Sequence, residues 1–152
     1  MIPLTLGLHT VAAVVWVGGM FFAHMALRPV LAGLAPAERL KLWDGILPRF
    51  FFWVWVSIAT LLVTGYGVIV WGYGGFVGLA MHINIMQGIG LLMMLLYSWL
   101  YFVPYREFRR AMSAGDFPAA GAAQARIRRV ISVNLPLGLI TSAVGATGGF
   151  WG

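Results

Sequence analysis

Leu8-His9-Thr10-Val11-Ala12-Ala13-Val14-Val15-Trp16-Val17-Gly18-Gly19-Met20-Phe21-Phe22-Ala23-His24 reads as one apolar helix with a histidine near each end. No proline and no carboxylate, Lys or Arg interrupts it. The wider run, Pro3–Leu27, exceeds the roughly 20 residues that a helix needs to cross a bilayer. Ionisable side chains inside a span are costly, so each is a functional-site hypothesis by default. The third and last histidine, His82, opens another apolar run. The reading of the chain turns on which of these histidines can meet.

Composition generalises what that stretch suggests. Of 152 residues, 61% are hydrophobic and only 9% charged, where soluble domains carry about 25% charge. Mean hydropathy is +0.90. These values specify an integral membrane protein. The net charge of +6 would otherwise invite a nucleic-acid reading. Here every charged residue falls in two segments, Arg28–Arg49 and Arg106–Arg129, beside apolar runs. That pattern encodes topology, and nucleic acid is excluded as a partner. The absence of cysteine excludes disulfides, thiolate zinc sites and thioether-attached haem. A cleaved signal peptide is not expected, because no Lys or Arg precedes Arg28 and the run is too long.

Four runs are long enough to span: 3–27, 50–71, 79–103 and 130–151. Each is predicted helical, since the hydrocarbon offers no water to satisfy the backbone. The fold class is therefore all-α, a single four-helix transmembrane bundle. Arg28-Pro29, Pro48-Arg49 and Pro104 are expected to mark helix ends, and Pro136 a kink. Residues 35–43 and 115–129 are expected to form interfacial helices on anionic lipid headgroups. Tryptophans near the run ends, such as Trp53 and Trp71, read as interfacial anchors. Both basic loops should be cytoplasmic by the positive-inside rule. Both termini then lie on the periplasmic side of a bacterial inner membrane.

Depth separates the histidines. At 1.5 Å per residue His9 lies about 9 Å into the first helix from its outer end, and His82 is at similar depth in the third. His24 lies about 22 Å further along, near the cytoplasmic end. His9 and His82 can therefore share a cofactor, and His24 cannot join them. One candidate is a b-type haem clamped by two imidazoles, for which histidine is a standard axial ligand. Trp16 and Gly19 would lie on the packing surface beneath it. Glycines elsewhere serve equally well for close helix packing. The alternative is copper held by His9, His82 and Met86, the last two at i and i+4 on one helix face. Imidazole with thioether is a soft set suited to Cu(I), although methionine also fills apolar cores. A lone intramembrane histidine can simply hydrogen-bond a neighbour, and this is the expectation for His24. No hydrolytic or nucleotide-binding motif is present.

His9 with Trp16-Val17-Gly18-Gly19-Met20-Phe21 and Arg28-Pro29 resembles the first helix of the copper-resistance D (CopD) type of membrane protein. Met81-His82-Ile83-Asn84-Ile85-Met86-Gln87-Gly88 resembles the start of that family's third helix. The pattern is also similar to the HemJ-type protoporphyrinogen oxidases, small four-helix haem-b proteins. Their resemblance implies a haem served by a first-helix histidine, matching His9, and by a third-helix lysine. That lysine falls at Asn84, which is a poor iron ligand and about 200° around the helix from His82. Protoporphyrinogen oxidation is weakened accordingly.

These observations together predict a haem-b redox or electron-transfer protein, with an oxidoreductase activity left open. The alternatives are a copper-binding or copper-transport protein and a cofactor-free subunit of a larger complex. Expected partners are the bilayer, a quinone, porphyrin or redox protein, and further copies of the chain.

Overall fold

The computed structural model describes residues 1–151, and within them every regular element is helical. Four helices have the length and apolar composition to cross a membrane: α1 (Ile2–Leu31), α2 (Pro36–Gly72), α3 (Met81–Ala114) and α4 (Phe117–Phe150). Their most apolar windows bury only 17–28% of their residues inside the bundle. The rest, including Leu4, Val11, Val63 and Leu95, face outward. A soluble protein rarely exposes so continuous an apolar surface, and here lipid covers it.

The chain forms two helical hairpins, α1 with α2 and α3 with α4, joined mainly through α4. One end of the bundle carries both termini and the turn between α2 and α3. Gly74, Gly75 and Gly78 adopt positive φ in that turn, which few other residues tolerate. The other end carries the two arginine-rich connections and is called the basic end below. The second of these is very tight. Gly115 closes α3 in the left-handed region, and the Asp116 carboxylate accepts from Ala119 N at 3.0 Å to cap α4. Asp44 pairs with Arg109 at 2.8 Å and Glu107 pairs with Arg126, tying neighbouring helices together at this end.

The core is densest in the basic half. Phe51 of α2 meets Tyr97, Tyr101 and Tyr105 of α3 edge-on, with centroids 5.6, 6.1 and 4.8 Å away. Such T-shaped pairs place a positive ring edge on a negative face. Tyr97 Oη donates to Phe51 O at 3.1 Å, so its buried hydroxyl is satisfied. Asn134 of α4 donates to Met93 O at 3.1 Å, locking the second hairpin.

The helices run beyond the expected spans, and the prolines do not end them. Pro48 lies within continuous helix, Ala35 caps it and residues 36–43 form its leading turns, and residues from Phe117 onward belong to α4 itself. Pro104 lies in a π-helical segment, Tyr101–Tyr105, from which α3 continues to Ala114. A second π segment, Phe22–Leu27, directly precedes Arg28-Pro29. Proline removes one donor and collides with the carbonyl four residues earlier. A wider turn moves that carbonyl aside, so the helix absorbs the ring and goes on. Pro136 also lies inside α4.

Candidate functional site

His9 is half-buried on α1, facing α2. Its Nδ1 lies 2.8 Å from Thr64 Oγ1, and the ring rests over Gly65. The Thr64 hydroxyl donates its single proton to Thr60 O at 2.6 Å, so toward His9 it is an acceptor. With that bond made, the neutral imidazole carries its proton on Nδ1 and keeps the Nε2 lone pair. A metal-binding histidine is commonly oriented in this way, with its other ring nitrogen donating to a fixed oxygen. Thr64→Val should cost about 1 kcal/mol of stability. It should also release the ring to a mixture of tautomers, read from long-range ¹H–¹⁵N spectra of ¹⁵N-histidine-labelled protein. An unchanged Nδ1–H tautomer would show that Thr64 does not set it.

His82 begins the first turn of α3 and packs across the end of α4. Its ring lies against Gly148, where a side chain on that residue would overlap it, and edge-on to Trp151 at 6.2 Å. Met86, one turn on, packs over Gly145. The His82–Met86 stripe therefore sits on a glycine track of α4, and absence of side chains there lets the two helices close upon it. Met93 continues the stripe over Gly138. The Gly145–Gly149 region thus acts in packing within the chain.

The remaining residues singled out by sequence have other surroundings. Trp16 is 3% exposed and lies edge-on to Tyr97 at 6.1 Å, within the aromatic core. Gly19 makes room for the Phe50 ring. The Asn84 amide donates to Leu79 O and Ala80 O at 3.2 and 3.4 Å, at the start of its own helix. His24 lines a small cavity at the basic end. The separation of His24 from the other two histidines, expected from depth, gives it a different environment.

Among the described residues no hydrogen bond or ring contact joins His9 to His82, and no group of three or more His, Asp or Glu is placed to hold a metal. His9 is seated on α2, and His82 on α4. Haem clamped between these two rings gains no support from that arrangement. Sequence reasoning missed two polar residues. Thr64 pairs with His9 across 55 positions, which no local spacing reveals. Asn134 could have been found, as a carboxamide inside an apolar run. It is 2% exposed, and its Oδ1 has no partner among the described residues.

Comparison with curated proteins and with solved structures yields no match. The family described as Copper resistance protein D matches residues 44–147. That stretch covers most of α2, all of α3 and nearly all of α4, and includes His82 and Met86. His9 and Trp16 of α1 lie outside it, so the more distinctive of the two motifs is not the one matched. The family's description names copper and lends no support to haem, electron transfer or an oxidoreductase. With well over half its length matched and four membrane-length helices in place, the chain belongs to the copper resistance protein D (CopD) family of multi-pass membrane proteins.

Proposed function

We propose that the protein binds copper as its cargo, at the end of the bundle that carries both termini. The observation that supports this best is the His82–Met86 stripe. An imidazole and a thioether lie one turn apart on α3, inside the family-matched stretch, and both face a glycine track on α4. Thioether and imidazole donors without carboxylates favour Cu(I) over harder divalent ions. Cu(I) accepts linear and trigonal coordination, so a sparse donor set suits it. His9, seated separately on α2, is the other imidazole at this end of the bundle, and whether it joins the ion is decided by His9→Ala. In this reading the arginine-poor end faces the periplasm of a bacterial inner membrane, as the positive-inside rule favours.

These residues have simple roles. His82 and Met86 bind the ion, their spacing is set by one turn of α3, and the glycine track lets α4 pack against them. Thr64 orients His9. The outward apolar faces keep the site within lipid, where a weakly hydrated monovalent ion loses less than a divalent one. Purified protein titrated with Cu(I) against a chromophoric chelator should take up copper stoichiometrically, and its reduced visible spectrum should be flat. Failure to compete for copper, or a sharp reduced α band from co-purified haem, would overturn the proposal.

A further inference from the structure

A second polar site lies at the opposite, basic end. Three helices enclose a half-open cavity there: α1 through Ala23, His24 and Arg28, α2 through Trp43 and Leu47, and α4 through Gln124, Ile127, Arg128 and Ile131. Its enclosed volume is about 20 Å3, room for one water, so a larger group would sit at its open mouth. His24 belongs to the π segment of α1, and Arg28 follows one turn later. Gln124 and Arg128 are likewise one turn apart on α4. Two facing helices therefore each contribute an arginine and a second polar residue to the lining of one opening.

The charges here are uncompensated. The chain has only four acidic side chains against ten Lys and Arg. Asp44 is engaged by Arg109, Glu107 by Arg126, and Asp116 caps α4. Glu38 lies in the first turn of α2. No ion pair among the described residues involves Arg28 or Arg128. No carboxylate lines the cavity, and its floor is apolar. Two unpaired guanidiniums, an imidazole and an amide around one opening form a donor set for a doubly or singly charged oxyanion. Basic pockets between membrane helices at the headgroup level are the usual seats of lipid phosphates.

We infer that the open mouth of this cavity binds a phosphate group between Arg28 and Arg128, with His24 and Gln124 as the flanking polar groups. The site is distinct from the copper stripe and does not depend on it. A lipid phosphodiester and a free phosphate present the same chemistry, and they differ in what lies behind the phosphate. A lipid would lay its acyl chains along the outward apolar faces.

The test is the melting temperature of the detergent-solubilised full chain. Phosphatidylglycerol, phosphatidylcholine, inorganic phosphate and chloride are each added at matched ionic strength. A ligand of the folded state raises the midpoint by mass action. A rise with phosphatidylglycerol alone identifies a lipid headgroup, and a rise with inorganic phosphate identifies a free anion. In either case Arg128→Gln, a change at an exposed side chain that the fold tolerates, should remove about half of the rise or more. Arg28→Gln/Arg128→Gln should remove it altogether. Arg110→Gln, also exposed but away from the cavity, should retain it. No rise with either phosphate source, or a rise that survives Arg28→Gln/Arg128→Gln, overturns the inference. Equal loss in Arg110→Gln also overturns it, since general surface charge would then explain the effect.

Discussion

His82→Ala is expected to weaken Cu(I) binding by more than the about 10–100-fold that loss of an outer-shell partner costs a metal site. The reason is that it removes a first donor from a set with few members. Met86→Leu keeps the volume over Gly145 while deleting the thioether, and volume-conserving swaps of this kind disturb packing little. Its effect should fall near tenfold, or about 1.4 kcal/mol. His24→Ala, at the other end of the bundle, should leave the affinity unchanged. Competition titration of the four proteins in one detergent measures all of this. His9→Ala then decides how many helices contribute. A loss matching that of His82→Ala places both imidazoles on one ion, and no loss confines the site to α3. If His24→Ala alone abolished binding, the site would lie at the basic end and the present assignment would fail.

The largest effect on stability should come from Phe51→Ala. Phe51 is 1% exposed, and three tyrosine rings of α3 close on it. Lipid is as apolar as the core, so association of membrane helices rests on packing rather than on exclusion of water. The cost of Phe51→Ala is then mostly the cavity and lost ring contacts, about 3–5 kcal/mol by analogy with soluble cores. Tyr97→Phe keeps the ring and removes only the bond to Phe51 O, for about 0.5–1.5 kcal/mol. Phe52 is the control, being 60% exposed on the lipid-facing side. Unfolding by a denaturing detergent should rank Phe51→Ala well below Tyr97→Phe, and Phe52→Ala near wild type. Equal losses at Phe51 and Phe52 would mean that the aromatic cluster does not hold the hairpins together.

The four helices were legible because burying a backbone in hydrocarbon leaves the chain one local solution, and apolar runs of that length have no other use. Their ends were not. Pro48 and Pro104 are breakers in an isolated helix, and nothing in their neighbours announces that α2 stays regular or that α3 widens at Tyr101–Tyr105. The placement of the histidines was legible in depth and not in partners. Counting residues was enough to separate His24 from His9. It could not show that His9 turns to Thr64, that His82 turns to Gly148, or that Trp16 belongs to an aromatic core with Tyr97. Those pairings depend on how each helix is rotated about its axis. A helix apolar on nearly every face gives little indication of its rotation.

The length of α2 has a mechanical consequence. Its 37 residues extend about 55 Å, against a hydrocarbon slab of about 30 Å. The surplus is regular helix, clamped to α3 by the Asp44–Arg109 pair. At this end the chain crosses between helices in only a few residues, at Ala32–Ala35 and Gly115–Asp116. The exposed head of the molecule is thus a helical extension of its spans and not a flexible loop. Limited proteolysis should find its cleavage sites at the opposite end, in the glycine-rich turn after Gly72.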